Sequence, residues 1–103
     1  MSDVRILAEV SDDVADAAKW YDREGYPGLG DRFEGTFYSY VEHLQERGEI
    51  YRAVYSDFRR IFLSPFPYAL YFRYHDALLV VVLVIHAARD PMHVRALLRE
   101  RRG

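Results

Sequence analysis

Four arginines and one histidine sit in the second half of the chain where they could act on one charged group. Arg59 and Arg60 lie in the run 58–63, Arg73 near the end of 68–74, and His86 and Arg89 close behind the apolar run 77–85. Metal-free cleavage of a ribose phosphodiester needs a base for the 2′-hydroxyl, cations for the charge of the phosphorane, and an acid for the leaving oxygen. Arginine supplies the cation, and an imidazole titrates near neutrality and can serve as base or acid. Arg60, Arg73, His86 and Arg89 are therefore the catalytic candidates if such chemistry is present. Arginines at strand ends are also ordinary solvated charges, and a histidine after an apolar run also packs its ring at a sheet edge. His75 and His93 carry less signal. His86, Asp90 and His93 match no metal-ligand spacing, so no metal is expected, and no motif implies a cofactor.

The elements that must position these residues follow from periodicity. Residues 58–63 alternate apolar residues with arginines, 68–74 are largely aromatic, and 77–85 form an unbroken apolar run rich in valine. β-Branched and aromatic side chains lose rotamer freedom in helices and suit strands. The last run is too short for the roughly 20 residues of a membrane-spanning helix, and it predicts a central strand covered on both faces. Ser64-Pro65-Phe66-Pro67 separates the first two strands, and His75-Asp76-Ala77 predicts a tight antiparallel hairpin between the second and third. Adjacent strand positions point to opposite faces, so only one of Arg59 and Arg60 can join Arg73 and Arg89 in a single basic patch.

Upstream, the alternation of Val4, Ile6, Ala8 and Val10 predicts an opening strand, with Ser11 as N-cap of a first helix and Asp12 and Asp13 in its first turn. Val14, Ala17, Ala18 and Tyr21 form its apolar stripe, and the helix should stop near Gly25. A second helix begins around Asp31 with Phe33, Phe37, Tyr40, Val41 and Leu44 on one face. Gly48 should close it in a left-handed conformation. The glycines between the helices follow a helix and lack the Lys-Ser/Thr of a phosphate-binding loop. Residues 51–57 read as a loop or frayed strand start. Asp90 and Pro91 predict the N-terminus of a last, short helix with Val94, Leu97 and Leu98 on its apolar face.

The expected architecture is α+β in the order β-α-α-β-β-β-α. An antiparallel hairpin sheet carries a helical hairpin on one face and a short C-terminal helix. The 103 residues fit one domain spanning 1–103, half of them hydrophobic. The chain has no cysteine, which excludes disulfides and thiolate zinc sites. With no secretory signal at its start, the expectation is an intracellular, cytoplasmic protein without a membrane segment. The net charge of −2 conceals a division. Residues 1–50 hold 5 Lys/Arg against 12 Asp/Glu, and residues 51–103 hold 9 against 4. One acidic and one basic surface follow, unless the two halves neutralise each other.

Several fragments, taken in order, resemble the RelE/ParE superfamily of bacterial toxins from type II toxin–antitoxin modules. They are Ala18-Lys19-Trp20-Tyr21-Asp22, Gly28-Leu29-Gly30-Asp31-Arg32-Phe33, Arg59-Arg60, Phe66-Pro67-Tyr68, Tyr71-Phe72 and His86-Ala87-Ala88-Arg89-Asp90-Pro91. The resemblance implies a growth-inhibiting toxin of the plasmid-stabilisation type, held inactive by a cognate antitoxin protein docked across its surface. RelE-like members cut mRNA on the ribosome, and Arg89 stands where they carry a catalytic arginine. ParE-like members bind and poison DNA gyrase. Lys19 is the sole lysine, no tyrosine follows Tyr74, and the net charge is negative. These features depart from the nuclease pattern, since ribosome-bound nucleases draw affinity from phosphate neutralisation. The resemblance thus favours a gyrase-binding toxin over the ribosome-dependent mRNA endonuclease, with an inert partner-binding relative as a third possibility. The basic, apolar sheet face calls for an acidic, amphipathic antitoxin segment that folds on docking.

Overall fold

The structure, a computed structural model, describes residues 2–102. Its elements run β1 (Val4–Ile6), α1 (Ala8–Glu24), α2 (Leu29–Arg47), a 3₁₀ turn (Gly48–Ile50), β2 (Ala53–Tyr55), β3 (Phe58–Phe62), β4 (Tyr68–His75), β5 (Leu78–His86) and α3 (Pro91–Glu100). The α+β architecture expected from the sequence is present, with one strand more. Residues 53–55, read as a transition, form β2, a three-residue edge strand antiparallel to β3.

The five strands lie in the order β1-β5-β4-β3-β2. β5 is the centre of the chain's packing, and residues 79–85 are all buried. Its partner β4 is antiparallel, from His75↔Leu78 at the hairpin to Tyr68↔His86, whereas β1 pairs with β5 in parallel. α1 and α2 pack antiparallel on one face, where Tyr21, Phe33, Phe66 and Tyr68 form an edge-to-face aromatic cluster. At their crossing, Gly30 lets the backbones approach. A Cβ there would lie 2.5 Å from the Ala18 carbonyl oxygen, and the Gly30 N–H donates to Asp22. On the other face α3 lays Val94 and Leu98 against the sheet.

Two local expectations are corrected. The opening strand ends at Ile6, and α1 starts at Ala8 with Leu7 as N-cap, so Ser11 and Val10 are already helical. Leu7, Val10, Val14, Ala17, Ala18 and Tyr21 make one buried helical stripe. The alternation Val4, Ile6, Ala8, Val10 breaks at Leu7, which is buried while Ala8 is exposed, because the helical stripe buries more than two further strand residues would. Gly48, in turn, is right-handed at φ −63°, ψ −28°. Glycine is needed there for space, because a Cβ would collide with the Tyr74 hydroxyl.

A bulge decides what holds α3. Tyr71 faces Leu83 and Phe72 faces Val81, so Val82 is an extra residue in β5. Before it, Leu79 and Val81 turn their peptide groups toward β1. After it, Val82 and Val84 do so, where β1 has ended. Arg101 donates to the Val82 carbonyl, and Asp13 of α1 accepts from the Val84 N–H. The two side chains pair with each other at 2.6 Å, both largely buried, and so stand in for the missing strand. The Asp13 carboxylate holds the Arg101 guanidinium above its usual pKa. Nearby, Asp57 pairs with Arg73 at 2.9 Å, and Arg73 also donates to the Arg102 carbonyl. Partial burial works against the Asp57 charge, but the Arg73 hydrogen bond and charge outweigh it and hold the carboxyl below its usual range.

Two outcomes are expected from this end of the fold. Asp13→Asn should lower stability by about 2 kcal/mol in urea unfolding, short of the ~3–5 kcal/mol for breaking a fully buried pair. Adding Arg101→Gln should recover part of that loss, because the stranded cation goes with it. For Asp57, the contribution is present above about pH 4, the ordinary carboxylate value, and is lost as pH falls through the depressed one. In thermal melts across that range, Asp57→Asn should flatten the acid-side decline, and an unchanged slope would remove Asp57 from it.

Candidate functional site

A half-open cleft of about 160 Å³ opens between α3 and the sheet face it covers. β4 and β5 supply its floor with Ala69, Tyr71 and Ile85. β2 and β3 supply one wall with Tyr55, Arg60 and Phe62, and α3 the other with Val94, Arg95 and Leu98. His86 and Arg89 close the end where β5 leaves the sheet.

Strand alternation sorts the predicted arginines. Arg60 enters the cleft and lies over Phe62, 4.9 Å from the ring centroid. Arg59 points to the opposite face, over Tyr74 at 5.0 Å, and donates to the Gly48 carbonyl. Arg60, His86 and Arg89 thus share one cleft. Arg73 does not line it and is held by Asp57 and the Arg102 carbonyl instead. The three-arginine patch containing Arg73 is not formed, because Arg73 lies at the far end of β4, beside the C-terminus of α3.

Arg95 was not among the sequence candidates. It lines the cleft and lies 5.2 Å from the Tyr55 ring centroid. Arg99 donates to the Tyr55 hydroxyl, and Arg102 lies over Phe58, whose ring stacks with Tyr55. The spacing of Arg95 and Arg99 at i and i+4 was a legible signal of a basic face on α3, which Arg102 continues just beyond the helix end at Glu100. This face packs on the aromatic pair Tyr55 and Phe58, and so fixes α3 over the cleft.

The chemistry of the cleft is cationic. Arg60, Arg89, Arg95 and His86 line it, and no carboxylate does. Asp90, beside Arg89 in sequence, caps α3 by accepting from the Met92 N–H. The His86 ring is oriented by its own turn, since Nδ1 accepts from the Ala88 N–H at 3.1 Å. A neutral imidazole bonded in this way carries its proton on Nε2 and presents a donor. Tyr68, edge-on to His86, is kept protonated because burial pushes its phenol up, the Arg89 charge opposing this in smaller measure. His93 lies apart from this cleft in a neighbouring groove that also contains Trp20, and His75 is exposed at the β4–β5 hairpin. Among the described residues no three His, Cys, Asp or Glu side chains come together to hold a metal ion, and no helix is long and apolar enough to cross a membrane.

The fold and the cleft can be set against known proteins. A solved structure of the chromosomal ParDE toxin–antitoxin system from P. aeruginosa superposes with a TM-score of 0.75 at 13% identity, over 84% of this chain and 96% of that one. At that identity the likeness is one of fold. No curated protein sequence matches significantly. The family model described as the ParE toxin of the type II toxin–antitoxin system parDE matches residues 4–91, from β1 through β5 to the first residue of α3. The chain belongs to the ParE toxin family of type II toxin–antitoxin systems.

Proposed function

We propose that the chain, acting as one toxin domain in the cytoplasm, binds DNA gyrase and is neutralised by a cognate antitoxin. The family supports a toxin, and the likeness in fold to a protein of a ParDE system supports an antitoxin partner. The observation that carries the binding mode is the state of His86. With Nδ1 taken by the Ala88 N–H and no carboxylate lining the cleft, the cleft itself offers no free base to activate a ribose hydroxyl, and the carboxylates of Asp13 and Asp16 line the neighbouring groove that shares His86 and Arg89. Such a cleft recognises charge and leaves the bonds of its ligand intact. The antitoxin that fits is an acidic, amphipathic segment ordering as it docks on the basic and apolar side of the sheet.

A second reading has one observation in its favour, the convergence of Arg60, His86 and Arg89 on a single cleft. In a ribosome-dependent mRNA endonuclease the arginines would stabilise the phosphorane charge, and His86 Nε2–H would protonate the leaving oxygen. Arg73, outside the cleft, would act only through the position of α3.

Induction of the chain in a bacterium separates these readings. Growth arrest with gyrase trapped on DNA, inhibition of supercoiling by the purified chain, and no early transcript cuts are the expected results. New 5′ ends inside translated frames within minutes, abolished by Arg60→Ala with Arg89→Ala, would establish the nuclease instead. Normal growth, with antitoxin binding retained, would reduce the chain to a partner-binding module.

A further inference from the structure

We infer that α3 is a strap that lifts off the sheet as one unit while the rest of the chain stays folded, and that its lifting turns the cleft into an open face. The inference concerns the free chain and does not depend on what the toxin binds.

Three features lead to it. First, the attachment is narrow and mostly polar. Only Val94 and Leu98 of α3 are deeply buried. The other ties are Arg101 to Asp13 and the Val82 carbonyl, Arg99 to the Tyr55 hydroxyl, and the Arg102 carbonyl to Arg73, which Asp57 holds. Arg95 and Arg102 add ring contacts with Tyr55 and Phe58. Polar groups regain water when they part, so each of these ties contributes less than its geometry suggests.

Second, the body is complete without α3. β5 keeps its ladder with β4 from Leu78 to His86, and the aromatic cluster of Tyr21, Phe33, Phe66 and Tyr68 belongs to the helical hairpin and the face it covers. Among the described residues no backbone-to-backbone hydrogen bond joins α3 to a strand. Third, a joint is present. Ala87 to Asp90, between β5 and α3, are all exposed. On the strand side the Ala87 N–H donates to the Pro67 carbonyl and the Arg89 N–H to the His86 carbonyl. On the helix side Asp90 accepts from the Met92 and Val94 N–H groups, so the cap travels with the helix. Rotation between Arg89 and Asp90 therefore moves α3 without disturbing either set of bonds.

Lifting removes Val94, Arg95 and Leu98 from the cleft and uncovers its floor of Ala69, Tyr71 and Ile85. A ten-residue helix is marginal in water on its own, so its amides exchange once it leaves.

Native-state hydrogen exchange of the full chain, followed residue by residue in low urea, tests the inference. The amides of residues 94–101 should exchange through one shared opening with little dependence on urea. They should do so about a hundredfold or more faster than the β5 amides bonded to β4, which wait for global unfolding. Leu98→Ala should speed α3 exchange about thirtyfold or more, and Asp57→Asn about threefold, because each loosens the attachment. Phe33→Leu, in the cluster that stays intact when α3 lifts, should speed β5 exchange and leave α3 exchange unmoved. Circular dichroism checks that each variant folds, and Asp57→Asn, a surface change, serves where Leu98→Ala does not fold. Residues 94–101 exchanging with β5 at the same urea dependence, rates graded inward from the C-terminus as in simple fraying, or α3 exchange accelerated by Phe33→Leu as much as that of β5 would overturn it.

Discussion

β5 imposes the constraint from which the rest of the structure follows. A strand buried from Leu79 to Ile85 must be covered on both faces and satisfied on both edges. The helical hairpin covers one face along its length. The other has only α3, a ten-residue helix resting on Val94 and Leu98. Coverage is therefore unequal, and the cleft is the space left where a short helix spans a five-stranded sheet.

The edge of β5 is as important as its faces. β1 supplies three residues and stops, and the bulge at Val82 turns the next outward peptide groups to where no strand remains. Unsatisfied, these groups would cost about 1–3 kcal/mol each. Asp13 and Arg101 meet them, one from each helix flanking the edge, and their pairing joins α1 to the end of α3 across β5. The C-terminal helix is thus held by polar contacts at its end and cation–π contacts along its flank, and only two of its side chains are deeply buried. Arginine suits this arrangement because its stem covers apolar surface while its fork remains available for hydrogen bonds.

Much of this was legible in the sequence where one period dominated. The stripe of α1, the aromatic face of α2, the two-residue reversal after His75 and the Asp90-Pro91 cap all specify local structure through side chains close in the chain. What was not legible depends on contacts distant in sequence. No local pattern announces that Asp13 serves Arg101, 88 residues away. Nor does one show that Val82 is a bulge, because a run of valines and leucines has no polar position to mark its register. For the site, adjacency in the strand correctly separated Arg59 from Arg60. The place of Arg73 depended on Asp57 and the C-terminus of α3, which the strand pattern does not show. Arg95 was missed although its spacing was visible, because the last helix was read for its apolar face of Val94, Leu97 and Leu98 and not for a basic face packed on Tyr55.

The same shortage of cover that shapes the fold also shapes the chemistry. An apolar helix face would have closed over the sheet and left no cleft. α3 instead carries arginines on the side facing β2 and β3, so the gap between helix and sheet is lined by charge while its floor stays apolar. Asp57 and Asp13 show that the chain pairs its arginines where stability is at stake. Around the cleft Arg60, Arg89 and Arg95 take no such partner among the described residues, and Arg89 and Arg95 are exposed, so their charge is met by solvent and the opening stays positive.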